Sequence, residues 1–224
     1  GGGHGDYKLL VLARGTVQEA YDLTIKAFEL AFKYRNPVLV LADAIIGQMK
    51  EPVVPWVPEN LDPDEGQDWG LQGAKDRAPR LLKSLFLDDG ALAGQNLKLQ
   101  AKYAAMQAEV DQEMFLTEDA ELIVVAFGSI GRIAKSTVRK LRAQGRKVGL
   151  VRPITLFPFP SKVLLDLAKE GKRFLTIENN MGQMVEDVRL SIRTVADSAF
   201  HCQLPGNLPT PDDFEEPILK ALEG

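Results

Sequence analysis

Apolar positions fall into two patterned stretches of the chain, separated by one that has no regular pattern. Residues 7–13 form a compact, mostly apolar run and residues 37–42 a second, as expected for strands buried on both faces. Between them Val17, Ala20, Tyr21, Thr24, Phe28, Ala31 and Phe32 recur at helical intervals, behind a Thr16 and Glu19 pair with capping-box spacing. The stretch therefore predicts a β-α-β unit with parallel strands and a right-handed crossover. One such unit cannot cover both faces of a parallel sheet, so the chain reads as entering its first domain part-way through.

Over residues 51–90 periodicity gives way to Pro, Gly, Asp and two tryptophans, which predicts an ordered connector crossing a surface. Leu92, Leu99, Tyr103, Met106, Val110 and Met114 then repeat every three, four or seven residues. That stripe predicts one packed amphipathic helix bracing two domains.

Beyond residue 119, apolar runs at 122–127, 148–151, 174–177 and, more weakly, 200–204 alternate with helical segments. The first helix has Ser129 as its expected cap, carries Ile130, Ile133, Val138 and Leu141 on one side, and stops at Gly145. Arg139, Lys140 and Arg142 complement the dipole in its last turns. Residues 161–171 and 182–195 supply two more helices, and a final one follows Thr210 and Pro211, interrupted or restarted at Pro217. The expected fold is α/β: a partial β-α-β unit over 1–60, a connector and bracing helix over 61–117, and an open, doubly wound parallel domain of four or five strands over 118–224.

Composition narrows the class. With 224 residues, 45% hydrophobic and 26% charged, the chain can bury one large core or two small ones. The formal net charge is −4 and no basic stripe is interleaved with aromatics, so nucleic acid is not an expected partner. A single cysteine, Cys202, excludes an internal disulfide and a cysteine-ligated cluster or zinc site on this chain, and a reducing cytoplasm is the simplest setting. No apolar run approaches the roughly 20 residues of a membrane span. The opening Gly-Gly-Gly-His-Gly-Asp has neither the basic start nor the apolar stretch of a secretion signal, and reads either as an expression remnant or as a Gly-rich loop of a longer chain.

Ligands of open parallel sheets gather beyond the carboxyl ends of the strands. Four clusters occupy such positions: Gly128-Ser129-Ile130-Gly131-Arg132, Arg152-Pro153-Ile154-Thr155, Glu178-Asn179-Asn180-Met181-Gly182-Gln183, and Pro205-Gly206-Asn207. The first is a glycine turn at a helix start, which could hold phosphate or could simply be a tight turn; it lacks GxGxxG and the Walker lysine. The third is the richest: Asn at the helix start is ordinary capping, Glu178 could simply pair with Arg152, and structural or interface use is weighed above direct catalysis. Asp43 closes the second strand and suits either a cleft or a loop cap. His4, with Asp6 in the Gly-rich opening, could approach a ligand or stand idle. His201 reads as a surface or edge residue and Cys202 as a small buried hydrophobe. No Gly-x-Ser-x-Gly elbow is present.

Taken together, several stretches carry a resemblance. Gly2-Gly3-His4-Gly5-Asp6-Tyr7 with Leu10 to Ala13, Tyr34-Arg35-Asn36-Pro37-Val38, and Ile46-Gly47-Gln48-Met49 before Glu51-Pro52 resemble the pyrimidine-binding domain of 2-oxoacid:ferredoxin oxidoreductase α subunits. Asp119-Ala120-Glu121, residues 125–132, residues 148–160 and residues 181–190 resemble the transketolase-C-terminal-like domain of the same family. Gly182 to Arg189 and Pro209-Thr210-Pro211 are most similar to the ketoisovalerate (branched-chain) type, with the 2-oxoglutarate type next.

The resemblance implies oxidative decarboxylation of a 2-oxoacid, most simply 3-methyl-2-oxobutanoate, with 2-oxoglutarate or pyruvate as alternatives. Thiamine diphosphate, Mg²⁺, iron–sulfur clusters and CoA would serve the assembled complex, with acyl-CoA as product and ferredoxin as electron acceptor. A β subunit holding the thiamine diphosphate, a γ subunit and a ferredoxin-like δ subunit are the implied partners in a hetero-oligomer. The family's N-terminal portion, with its substrate loop and the glutamate that activates the aminopyrimidine, has no counterpart here. This chain alone is therefore expected to bind none of these cofactors and to be inactive, and no catalytic residue is assigned to it. A stand-alone nucleotide-binding α/β module using residues 128–132 is the competing reading.

Overall fold

The computed structural model describes residues 5–59, 69–71 and 73–223. Strand β1 (Leu10–Ala13), helix α1 (Val17–Tyr34) and strand β2 (Val38–Leu41) form the first unit, with β1 and β2 parallel. Thr16 caps α1 by accepting the Glu19 N–H at 3.0 Å, but the Glu19 carboxylate turns away from the Thr16 backbone. It accepts the Gly15 N–H at 2.6 Å instead and faces the second half of the chain. The helix buries Leu23, Ala27 and Leu30 against Leu10 and Leu12. This is not the aromatic stripe that its periodicity favours: Phe28 stays 67% exposed, because β1 lies against the neighbouring face.

A short helix α2 (Ala44–Gln48) follows, and the next helix is α3 (Ala91–Ala105). The expected single helix through residue 114 ends early. Residues Met106–Glu109 tighten into a 3-10 turn and Gln112–Phe115 become strand β3, which places Val110 and Met114 outside the helix. Met106 is the residue of that stripe that is fully buried, and α3 itself buries none of its side chains. The stripe therefore packs lightly on the first unit instead of bracing two domains.

The second unit comprises β4 (Leu122–Val125), α4 (Gly128–Ala143), β5 (Val148–Pro153), β6 (Thr155–Phe157), α5 (Ser161–Lys169), β7 (Arg173–Glu178), α6 (Met184–Ile192), β8 (Ser198–Cys202) and α7 (Glu215–Glu223). Its five-stranded sheet has the order β3-β5-β4-β7-β8. Strands β5, β4, β7 and β8 are parallel, whereas β3 joins antiparallel at the edge, so the sheet is mixed and not wholly parallel. Helix α4, the 3-10 turn Pro211–Phe214 and α7 cover one face through Val138, Leu141, Phe214 and Ile218, and α5 and α6 cover the other through Leu164, Leu167, Val188 and Ile192. Covering both faces explains why Leu122–Val125 is apolar at every position. Pro217 sits in the first turn of α7, where its missing N–H costs no hydrogen bond.

The two units share a strand. After Pro153 the chain leaves the second sheet, and β6 pairs antiparallel with β1 to complete a three-stranded sheet of order β2-β1-β6. Ala13 N–H donates to the Ile154 carbonyl at 2.7 Å across this joint. The polar loop expected after the 148–151 run is thus a sheet-to-sheet crossing. Thr155 is fully buried at its start, where its hydroxyl accepts the Asp111 N–H at 2.9 Å.

Candidate functional site

A cleft of about 220 Å³ lies where the carboxyl ends of β1 and β2 meet those of β4 and β7. Arg14, Asp43, Phe127, Ser129, Ile177 and Asn179 contribute to its wall. Asp43, Gly128, Ser129, Glu178 and Asn179, five of the candidates from separate parts of the sequence, thus converge.

Asp43 links the two units. Its Oδ1 accepts the Ile46 N–H at 2.9 Å, capping α2, and its Oδ2 accepts the Ser129 N–H at 3.1 Å in the first turn of α4. Both readings of Asp43, cap and cleft, therefore apply. Ser129 is not the cap of α4: the helix starts one residue earlier, at Gly128 with φ +62°, so Ser129 lies inside the first turn. Its Oγ is buried with no hydrogen-bond partner among the described residues. A phosphate at this turn would have to displace Asp43, so the geometry does not favour the phosphate reading.

Glu178 is only 1% exposed, and its carboxylate is filled by neighbours in its own loop. Met184 and Val185 N–H groups each donate at 2.9 Å, Gln183 N–H at 3.3 Å and Asn180 Nδ2 at 3.1 Å. Glu178, not an asparagine, thus caps α6, because its carboxylate can accept several of the orphan N–H groups at a helix start. Gln183 takes part through its backbone N–H. Asn180 Oδ1 accepts the Gly182 N–H at 2.7 Å, which shapes the loop further.

The Glu178–Arg152 pair that the sequence allowed does not form. Arg152, with a side chain 7% exposed, reaches Glu19 at 2.5 and 3.0 Å and Glu113 at 2.8 Å. Glu113 also pairs with Lys135. Burial lowers the Arg152 pKa, but Glu19 and Glu113 outweigh it and hold the guanidinium above its ordinary value. Burial likewise raises the Glu113 pKa, yet Lys135 and Arg152 together hold its carboxyl below the usual range. Room for this side chain comes from Gly131, where a Cβ would lie 2.9 Å from Arg152 Cδ and 2.8 Å from the Ala126 carbonyl oxygen.

Arg132 lies beside this network and pairs with Glu51 at 2.6 Å, while Glu51 accepts the Val17 N–H at 3.1 Å. The hydrogen bond to Arg132 is the main reason that the Glu51 carboxyl sits below its ordinary pKa. Sequence reasoning missed Arg14, Glu19, Glu51 and Glu113. Arg14 follows the first apolar run directly, and the carboxyl-end rule applied to that run would have found it.

Other candidates lie elsewhere. His4 falls outside the described residues. Asp6 is exposed and borders a groove under α3 with Lys8 and Tyr103, away from the cleft. His201 lies on β8, an edge strand of the five-stranded sheet, in line with the expected edge position; it stacks edge-on against Phe214 at 6.2 Å, and burial lowers its pKa against an opposing hydrogen bond involving Gln203. Cys202 is half-buried, with Sγ 3.8 Å from Met181 Sδ, and not the enclosed hydrophobe expected. A larger groove of about 1040 Å³ opens at the amino ends of β7 and β8 beside α7, away from these carboxyl-end residues.

Among the described residues no group of three His, Cys, Asp or Glu side chains could hold a metal ion. The cleft sets two carboxylates, Asp43 and Glu178, against Arg14. Both carboxylates are already filled by N–H donors, Asp43 by Ile46 and Ser129 and Glu178 by its own loop, so neither is free to hold Mg²⁺. Among the described residues, no helix is long and apolar enough to cross a membrane.

The family model described as "Pyruvate flavodoxin/ferredoxin oxidoreductase, thiamine diP-bdg" matches residues 4–117, and "Pyruvate:ferredoxin oxidoreductase core domain II" matches residues 120–214. The ketoisovalerate oxidoreductase subunit VorB of Methanothermobacter marburgensis is 49% identical over 193 residues, covering 85% of this chain and 54% of the relative. The 2-oxoglutarate synthase subunit KorA of Methanocaldococcus jannaschii is 31% identical over 250 residues, covering 97% of this chain and 65% of the relative. The chain thus spans about half the length of the VorB relative. Among solved structures, 2-oxoglutarate:ferredoxin oxidoreductase from Magnetococcus marinus superposes with a TM-score of 0.72 at 20% identity, over 99% of this chain and 43% of that one. A split gene transketolase, an inactive β4 tetramer, follows at 0.52 and 15%, over 96% and 57%. At these identities the two structures show the fold alone.

Proposed function

Because the chain belongs to the 2-oxoacid:ferredoxin oxidoreductase family, we propose that it acts as an α-type subunit in oxidative decarboxylation of a 2-oxoacid. The observation that carries this reading is the succession of two models from the same family group over 4–117 and 120–214. It supports a division near residue 118 between a pyrimidine-type part and a transketolase-C-terminal-like part. In the proposed reaction a 2-oxoacid anion and CoA give acyl-CoA, CO₂ and a proton, and two electrons pass singly to ferredoxin. Thiamine diphosphate, when bound in the assembled enzyme, supplies the carbanion chemistry.

The residues of this chain have a supporting part in that reading. Arg152, Asp43 and Glu51 hold the first unit against the second. Apolar side chains such as Phe28, Leu39 and Leu97 remain exposed and suit burial against other chains. A thiamine-binding β subunit, a γ subunit and a ferredoxin-like δ subunit are the proposed partners, and the isolated chain is proposed to be inactive.

Higher identity to VorB than to KorA, 49% against 31%, favours 3-methyl-2-oxobutanoate as substrate. Assay of the reconstituted complex against 3-methyl-2-oxobutanoate, 2-oxoglutarate and pyruvate tests this, with the first expected to give the highest kcat/KM. A clear preference for 2-oxoglutarate would overturn the ordering. Calorimetric titration of the isolated chain with thiamine diphosphate and Mg²⁺ is expected to show no saturable binding, and micromolar affinity would refute the division of labour.

A further inference from the structure

Helix α3 buries none of its side chains, and Gln95, Lys98, Leu99 and Lys102 share one of its faces. Together with residues 81–86 and the end of α1, that face lines a groove of about 540 Å³. Four cations, Arg35, Lys83, Lys98 and Lys102, border the groove, and no carboxylate among the described residues does. None of the four enters an ion pair among the described residues. By contrast Lys33, two residues before Arg35, is paired with Glu109 at 2.6 Å. Three of the four meet aromatic rings instead: Arg35 lies over Trp69 at 4.9 Å, Lys83 over Phe86 at 5.4 Å and Lys102 over Tyr103 at 5.6 Å.

Without a counter-charge this arrangement is unfavourable. Lys98 and Lys102 are four positions apart on one helix, a spacing at which like charges destabilise. Lys102 is half-buried, its Nζ donates to the Arg35 carbonyl at 3.4 Å, and burial together with the nearby Arg35 guanidinium lowers its pKa. Complementing helix dipoles accounts for Arg35 at the end of α1 and for Lys102 in the last turn of α3, but not for Lys98 in mid-helix or for Lys83 outside any helix. Leucines stand among the charges: Leu81 is 76% and Leu82 55% exposed on the same groove.

We propose that this groove docks an extended acidic segment of another polypeptide, in which carboxylates alternate with apolar side chains. Charge complementarity identifies the occupant, since the groove offers cations and no anion. Spacing supports an extended chain: Lys98 and Lys102 are roughly 6 Å apart along the helix axis, and two residues of a strand span roughly 6.6 Å. Alternate carboxylates then meet Lys98 and Lys102, while the apolar side chains between them meet Leu81, Leu82 and Phe86. A compact anion such as phosphate would use neither that spacing nor the leucines. Helix α1 runs from the carboxyl end of β1 to the amino end of β2, so its last residues lie at the opposite end of the first sheet from Asp43 and the cleft. The groove is thus separate from the cleft, and the proposal goes beyond the oxidoreductase reading without resting on it.

The test titrates three hexapeptides into the full chain, followed by heteronuclear NMR: one of alternating Glu and Leu, one with Gln in place of Glu, and one with Lys in place of Glu. Saturable binding of the acidic peptide at roughly 100 μM is expected, with the resonances of Lys98, Leu99 and Lys102 shifting and the affinity falling as salt rises. Neither of the other peptides should saturate. Lys98→Glu and Leu82→Asp should each weaken the acidic peptide about tenfold or more, whereas Lys162→Glu, at the surface of α5, should leave it unchanged. Lys98 and Leu82 are both exposed, so neither change opens a core, and the comparison of peptides needs only the wild-type chain. Failure of the acidic peptide to saturate, equal binding of the glutamine peptide, or affinity unchanged in both groove variants would overturn the proposal. Tighter binding of inorganic triphosphate than of the acidic peptide would mark a small-anion site and do the same.

Discussion

A carboxylate removed from water is stable only if its oxygens are filled, and Glu178 fills them with three backbone N–H groups and one amide. Glu178→Ala strips the cap from α6, and an expected loss of about 2–3 kcal/mol follows from charge-assisted bonds of this kind. Urea unfolding of the full chain measures it. Gln183→Ala should stay within about 0.5 kcal/mol, because it is the Gln183 backbone that donates. If the two variants matched, the loop would be an ordinary turn. Gly149 makes a separate residue-scale case: a Cβ there would lie 2.5 Å from the Leu116 carbonyl oxygen and 3.0 Å from Thr117 Cα, both backbone. Gly149→Ala should therefore cost roughly 1–3 kcal/mol through overpacking, readable as a lowered urea midpoint.

Between elements, Arg152 on β5 ties α1 to β3 through two carboxylates. Arg152→Met would leave Glu19 and Glu113 partly buried without their cation, and about 3 kcal/mol of destabilisation is expected. Adding Glu19→Gln and Glu113→Gln should recover much of it, whereas no recovery would show that the guanidinium acts by packing alone. The pH dependence has a definite sign. Glu113 is held below its ordinary value of 4.5, so the folded state binds fewer protons than the unfolded one. Its stabilisation is present above about pH 4.5 and is lost as pH falls through the depressed folded value. Glu113→Gln should flatten the acid limb of a stability-against-pH curve, and an unchanged limb would remove Glu113 from the account.

Helix and strand periodicity read these elements well where they are covered and poorly where they are not. The run at 122–125 and the stripe of α4 are recovered because the second unit encloses them. In α1 and α3 the apolar stripes are only partly covered within this chain, and the buried faces differ from those expected. Periodicity reports that an apolar face exists, but not which neighbour lies against it.

For the whole molecule, three acidic residues, Glu19, Asp43 and Glu51, each satisfy an N–H near a helix start while touching a side chain or backbone group across the junction. Together with the β6–β1 pairing they should make the two units unfold as one. Calorimetry of the Glu19→Gln, Asp43→Asn, Glu51→Gln variant is expected to split one transition into two, and a single transition shifted only in midpoint would place the coupling in β6.

By itself the sequence determined most element types, β3 and β6 excepted, the two α/β stretches and the family resemblance, since apolar period and turn residues are local and survive in any chain of this pattern. It also brought forward Asp43, Ser129, Glu178 and Asn179 as residues at strand ends. Only the tertiary structure decided that β6 leaves one sheet for the other, that Arg152 turns to Glu19 and Glu113, and that Asp43 reaches Ser129 across 86 positions. Those choices depend on which charged groups lie within a few ångströms once both sheets have packed. A hydrogen bond or ion pair acts only over that distance, and separation along the sequence carries no information about it.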